Sequence, residues 1–347
     1  MIIGMTYDLR EDYVRQGYGD EETAEFDCID TIEAIEGILR SLGHTTDRIG
    51  PARALVGRLG QGDRWDLVFN ISEGMHGFGR QALVPALLDA YEIRYTFSDP
   101  LTLSMTLHKG MAKHVLRNQG IPTPEFAIIE TLAELDGVVL AFPLFVKPVA
   151  EGTSKGISAA SKIYDGLQLR SRCKLLLERH RQPVLVETFL PGREFTVGML
   201  GTGAASRVIG VMEIEMREDA EPGIYSYENK QHYQQRVRFS LVTDEASGTA
   251  ASIALAAWKG LNCRDGGRVD LRCDSAGRIN FLEVNPLAGL NPNESDLVII
   301  ARLAGMAYRE LIAQIVTSAL KRLPAGLTAR KGCFPKDANG TKTSPEV

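Results

Sequence analysis

The chain lacks any long apolar run: no stretch approaches the ~18 consecutive apolar residues of a membrane-spanning helix, so none is expected. Its five cysteines, Cys28, Cys173, Cys263, Cys273 and Cys333, include no C-x-x-C pair. Such an odd, unpatterned set fits reduced thiols in a cytoplasmic protein better than a disulfide framework. The six histidines show no metal-ligand spacing. Positive charge is not in excess, with 39 Lys and Arg against 44 Asp and Glu and a net charge of -5. This argues against nucleic acid or an anionic membrane as a partner and leaves room for a local basic pocket. The start of the chain, MIIGMTYDLRED, has neither the basic region nor the apolar region of a signal peptide. No internal repeat is present, and no glycine-rich loop ends in the GK[ST] of a Walker A motif. A Gly201-Thr202-Gly203 stretch imitates a dinucleotide fingerprint, but a strand rather than a helix is expected after it.

What is present is an ordinary globular composition, 44% apolar and 24% charged, over 347 residues, enough for two or three lobes with cores. Periodicity predicts strands at residues 2–6 and 66–70 and helices at 21–42, 52–59 and 81–91. This strand–helix alternation implies a parallel α/β lobe over residues 1–100. A helix is expected at 103–118, then strands at 126–129 and 143–149, a strand at 157–160, and a helix at 165–180. Strands follow at 183–189, 193–200 and 207–216, a polar loop at 218–235, a helix at 244–261, and helices within 294–303 and 308–323. The organisation expected is therefore a central lobe at 101–190, a C-terminal lobe at 191–323 and a disordered tail at 324–347, rich in Gly, Pro, Lys and Thr.

Two adjacent segments, Gly267-Arg268-Val269-Asp270-Leu271-Arg272 and Arg278-Ile279-Asn280-Phe281-Leu282-Glu283-Val284-Asn285, read as a hairpin across the turn Asp274-Ser275-Ala276-Gly277. Side chains alternate along a strand, so Arg268 and Asp270 share a face, as do Glu283 and Asn285, with Leu282 and Val284 opposite. Two carboxylates and an amide carbonyl beside a guanidinium are hard donors suited to Mg2+ held with phosphates. A polar outer sheet face with an Arg–Asp pair would use the same residues. Upstream, Lys147 lies on a strand that runs into Glu151-Gly152-Thr153-Ser154-Lys155-Gly156. Backbone N–H groups of such a loop, with the Thr153 and Ser154 hydroxyls, can cradle phosphate oxygens.

The order Lys109, Phe145-Val146-Lys147-Pro148, Glu151-Gly152-Thr153-Ser154-Lys155-Gly156, Val186-Glu187-Thr188-Phe189-Leu190-Pro191-Gly192-Arg193-Glu194, Arg268-Val269-Asp270 and Glu283-Val284-Asn285 resembles the ATP-grasp superfamily. Within it, the chain is similar to the D-alanine–D-alanine ligases. The first lobe matches more weakly, through residues 79–89, Tyr95 and Ser98-Asp99-Pro100. The resemblance implies an ATP-grasp fold, α/β with an α+β ATP-binding part and an N-terminal parallel α/β lobe. It implies an ATP-dependent carboxylate–amine ligase acting through an acyl phosphate, with small amino-acid-like substrates and a homodimeric assembly. Peptidoglycan precursor supply, a specialised peptide or amide pathway, and a non-catalytic ATP-binding role all remain open.

By the same resemblance, Lys109 and Lys147 bind ATP phosphates and the loop bearing Glu151, Gly152, Thr153, Ser154 and Gly156 closes over them. Glu187, Thr188, Phe189 and Leu190 line the adenine slot, and Glu194 takes the ribose hydroxyls. Lys230 reaches the γ-phosphate. Asp270, Glu283 and Asn285 hold two Mg2+ ions, with Mn2+ as the alternative, and Arg268 stabilises the oxyanion. The departures fall on substrate recognition. Glu73-Gly74 replaces a His-Gly pair, with His76 nearby. Lys230-Gln231 lacks the usual tyrosine, for which Tyr225, Tyr227 and Tyr233 stand as candidates. Gly289 and Ser295 survive with one extra residue between them, and Glu294 sits where a substrate carboxylate would be repelled or an amine bound. The glutamate expected to grip an amino group is not singled out among Glu11, Asp12, Asp20, Glu21, Glu22 and Glu25.

Overall fold

The computed structural model describes residues 1–216 and 237–322. Three sheets organise them. The first is parallel, in the order β2-β1-β3, from β1 (Ile2–Thr6), β2 (Thr45–Gly50) and β3 (Leu67–Asn70). With it go α1 (Arg10–Arg15), α2 (Ile29–Ser41), α3 (Ala52–Gly60) and α4 (Leu83–Ala90). Ile32, Ile35 and Leu39 of α2 fall at helical spacing and are fully buried against Ile3 and Phe69. Next come α5 (Pro100–Leu107) and α6 (Lys109–Asn118).

The second sheet is antiparallel in the order β4-β7-β5-β6, built from β4 (Phe126–Ile129), β5 (Leu144–Pro148), β6 (Lys162–Ile163) and β7 (Val184–Thr188). Its helix is α7 (Gly166–His180), which buries Leu169, Cys173 and Leu176. The third sheet is antiparallel with five strands, β8 (Glu194–Leu200), β9 (Arg207–Met216), β10 (Val237–Leu241), β11 (Gly266–Cys273) and β12 (Ile279–Asn285), in the order β10-β9-β8-β11-β12. The alanine face of α8 (Glu245–Gly260) lets it lie close on this sheet, where Trp258 packs with Phe195, Val269 and Phe281.

The opposite face of the third sheet receives α9 (Asp296–Leu303) through paired glycines. A Cβ on Gly198 or Gly210 would lie 2.9 or 3.1 Å from Ile300 Cγ2. That close approach seats the middle of α9 directly on β8 and β9. The last helix, α10 (Tyr308–Lys321), returns to the first lobe and packs Leu311, Ile312 and Ile315 into the core around α2.

Four expectations need correction. Residues 21–28 are not helical. Asp27 pairs as an isolated bridge with Leu9, and Cys28 is the extended residue before α2. The helix expected at 103–118 is two helices broken at His108, whose ψ is 91°. There the Lys109 N–H leaves the helical pattern to donate to Val149 O at 3.0 Å. Residues 157–160 form no strand, because Arg172 takes Gly156 O at 2.7 Å and Ser161 Oγ at 3.0 Å, and Ser158 with Ser161 caps a short turn. Strands β2 and β10 carry no apolar period and were not anticipated. Both are edges, where water tolerates polar side chains. The expectations for residues 218–235 and 324–347 lie outside the described residues.

Candidate active site

A cleft lies between the second and third sheets. Lys147 on β5 and Glu187 on β7 reach it from neighbouring strands, because Phe145 pairs with Glu187 and alternation brings Lys147 to the same face. The Glu187 carboxylate is buried between two lysines, with Lys147 Nζ at 2.9 Å from Oε1 and Lys113 Nζ at 3.0 Å from Oε2. Burial alone would raise Glu187, but the two ammonium groups outweigh it and hold the carboxylate ionised. Burial pushes Lys113 down to about 8 against the pull of Glu187. Lys113 also donates to Phe281 O at 3.2 Å, tying α6 to β12. Its role is missed by the motif reading, yet its spacing of four from Lys109 places both on one face of α6.

Thr188, Phe189 and Leu190 continue the cleft wall beyond Glu187. Glu194 closes it, paired with Arg272 at 3.0 Å. The Phe189 ring carries a cation on it, Lys162 Nζ 4.2 Å from its centroid. At the other end the 151–156 loop turns through two consecutive left-handed residues, Thr153 at φ 50° and Ser154 at φ 56°, and both line the cleft. Such backbone costs about 1 kcal/mol or more per residue and persists only where surroundings enforce it. The enforcement comes from the first lobe. Glu25 Oε1 accepts from Gly152 N and from Lys155 Nζ, each at 2.8 Å, while Oε2 accepts from Arg80 at 2.8 Å. Lys155 also pairs with Glu151 at 2.7 Å, and Lys109 Nζ donates to Glu151 O at 2.5 Å. Gly156, at φ 71°, closes the loop where a Cβ would come within 2.7 Å of Pro148 Cγ.

The hairpin brings the carboxylates together. Asp270 stands opposite Glu283 and Arg268 opposite Asn285. The register slips after Asp270, so that Leu271 faces Phe281 and Leu282 is the extra residue. Leu282 therefore lines the cleft beside Glu283 instead of opposing it, a departure from simple alternation. Asp270 accepts from Thr196 Oγ1 at 2.9 Å, from Asn285 Nδ2 at 3.2 Å and from Arg268. Arg268 also approaches Asp296 at 3.5 Å. Burial raises Asp270 to about 6, with Glu283 and Asp296 adding to the rise against the pull of Arg268. Glu283 is held down at about 2, because Lys109, Lys147 and Arg268 outweigh its burial. Among the described residues no group of three His, Cys, Asp or Glu is arranged around a point. The set here is two carboxylates and an amide, hard oxygen donors in mutual repulsion, and it fits a divalent cation of the Mg2+ type.

A second cavity opens from the cleft, sharing Thr153, Arg268 and Glu283 with it. Lys109, Glu151 and Gly152 line it, together with Asn285, Glu73, Gly289 and Ser295. His76 is exposed and lies outside both cavities, 6.3 Å ring to ring from Tyr18. Lys230 and the three candidate tyrosines fall outside the described residues. Of the six acidic candidates only Glu25 lines either of these two cavities. Arg80 and Asp296 escaped the sequence reading because their ion-pair partners, Glu25 and Arg268, are distant in the chain.

Two cavities that meet at a guanidinium and a carboxylate can hold a polyanion against a second molecule. A family model described as D-ala D-ala ligase C-terminus matches residues 115–317. An uncharacterised protein, y4sG, of Sinorhizobium fredii is 33% identical over 261 residues, 74% of this chain and 75% of its own length. The D-alanine--D-alanine ligase of Bordetella petrii is 32% identical over 250 residues, 71% of this chain and 74% of its own. The structure of D-alanine--D-alanine ligase from Bacillus anthracis complexed with ATP superposes at a TM-score of 0.71 with 23% identity, covering 92% of this chain and 98% of that one. At that identity it speaks for the fold, which is ATP-grasp.

Proposed function

Since the chain belongs to the D-alanine–D-alanine ligase family of ATP-grasp enzymes, we propose that it joins a carboxylic acid to an amine at the expense of ATP. The observation that carries this reading is the meeting of the lysine-lined cleft with the second cavity at Arg268 and Glu283. In it, the cleft takes the nucleotide. Phe189 and Leu190 sandwich the base, Glu194 accepts from the ribose, and Lys147 and Lys109 face the phosphates. Thr153 and Ser154 donate from the loop above. Asp270, Glu283 and Asn285 would hold divalent cations, Mg2+ or Mn2+, which when bound neutralise charge on the triphosphate.

A substrate carboxylate in the second cavity attacks the γ-phosphoryl group, giving an acyl phosphate and ADP. The free amine then attacks the acyl carbon, the C–O bond to phosphate breaks, and amide, phosphate and a proton leave. Arg268, which lines both cavities, would donate to the carbonyl oxygen that gathers charge in that second step. The loop that Glu25 holds down keeps water from the acyl phosphate.

Hydroxylamine tests the activation step without knowledge of the natural amine. With Mg2+ and ATP, a panel of amino acids should yield hydroxamate and ADP in equal amounts, at least ~100-fold less with Asp270→Asn. Failure of the wild-type protein to bind ATP, or to give hydroxamate with any acid, would end the ligase reading.

A further inference from the structure

Arg272 lines the nucleotide cleft yet takes no part in the chemistry set out above. It stands on β11 two residues beyond Asp270, on the strand face that also carries Arg268. Four residues of strand separate it from Arg268 by about 13 Å, toward the other end of the cleft. Its cross-strand neighbour on β8 is Glu194, and Arg272 Nη1 meets Glu194 Oε2 at 3.0 Å. The Arg272 side chain is 14% exposed and that of Glu194 15%. Water therefore screens this pair less than it screens an ion pair on open surface.

The guanidinium also grips the connection that carries the chain from β7 of the second sheet to β8 of the third. Its Nε donates to Gly192 O at 3.3 Å, and its Cζ lies over the Phe189 ring, 5.4 Å from the centroid. Gly192 makes the first of these contacts possible. A Cβ there would come within 2.6 Å of Cys273 Cβ, so a side chain would hold the turn away from β11. The backbone fastens the same turn, with Gly192 N donating to Cys273 O at 2.9 Å and Cys273 N to Arg193 O at 2.8 Å. Phe189 is thus held from both sheets, by Lys162 of β6 and by Arg272 of β11. One side chain joins the residue that meets the base to the residue that meets the ribose.

We propose that Arg272 is the positioning residue for the nucleoside: it holds Glu194 to accept from the ribose 2′ and 3′ hydroxyls, and so makes the enzyme select a ribonucleotide over its 2′-deoxy counterpart. This rests on the ligase reading above, in which the cleft takes ATP. A glutamate at the mouth of a cleft has rotamer freedom that it must surrender when a ligand binds. The bond to Arg272 removes that freedom beforehand. A carboxylate has lone pairs for about four donors, so Glu194 still accepts from hydroxyls while paired. A pair that merely stiffened the connection between the sheets would serve ATP and 2′-deoxyATP alike.

The test is calorimetric titration of the full chain, in Mg2+, with ATP and with 2′-deoxyATP. Wild type is expected to bind ATP about tenfold or more tightly than 2′-deoxyATP, the effect of one hydrogen bond to a charged group. In Arg272→Met that ratio should fall below about threefold, because ATP loses the oriented acceptor and 2′-deoxyATP has less to lose. Arg272→Lys keeps the charge without the planar fork and should give an intermediate ratio. If the methionine variant does not fold, the lysine variant decides by the same measurement. Equal losses for both nucleotides, leaving the ratio as in wild type, overturn the inference. So does a wild type that binds the two nucleotides equally. Either result leaves the ligase reading intact, since hydroxamate formation tests that separately. A wild type that binds neither nucleotide removes the ligase reading and the inference with it.

Discussion

Glu25→Gln tests how the lobes are joined. The Glu25 side chain is 8% exposed and takes three donors from two lobes. Its burial would raise its pKa, but Arg80 first and Lys155 next outweigh that and hold it at about 2, against an ordinary 4.5. A depression of that size corresponds to roughly 3 kcal/mol. Sharing among coupled charges brings the loss expected from Glu25→Gln to about 2 kcal/mol. That is about a 30-fold increase in opening of the 151–156 loop. Lys155, nearly buried when the loop is closed, supplies the assay, because trypsin cuts after it only in the open form. Cleavage after Lys155 should accelerate about 30-fold, with faster amide exchange at residues 151–157. Because the folded value is depressed, the contribution of Glu25 is complete above pH 4.5 and fades as pH falls toward 2. Wild type and variant should therefore converge in acid. Equal cleavage rates at neutral pH would refute the idea that Glu25 holds the loop.

Two further outcomes follow from buried charge. Lys113→Met should destabilise the protein by about 3 kcal/mol, read from urea unfolding, because Glu187 keeps only Lys147 as partner; a loss under about 1 kcal/mol would show the lysine to be dispensable. Burial, then the charge of Glu25, raises Glu73 to about 8, so its native form holds a proton that the unfolded chain has lost. Stability should fall as pH rises from 4.5 to 8, and Glu73→Gln should recover about 2 kcal/mol above pH 8 and nothing near pH 4.5, as thermal melts across that range would report.

The central motifs were legible because each is local. The alternation of Arg268 and Asp270 on one strand, and the spacing of Lys147 from its loop, need no knowledge of distant chain. Elements failed where distant contacts overrode local preference. Lys109 N–H turns to Val149 and splits a helix, and Arg172 reaches back to Gly156 where a strand was expected. Lys113 escaped notice because a lone lysine on a helix reads as solvated until β7 and β12 bury it.

By itself the sequence determined the α/β class, the family and the chemistry of the hairpin, since strand period and short motif spacing act over a few residues. Only the tertiary structure decided which carboxylates meet which cations. Glu25 with Arg80 and, across lobes, with Lys155, and Asp296 with Arg268, are outcomes of how distant segments of the chain meet. A charge acts through distance and burial, and neither is written in the order of the chain.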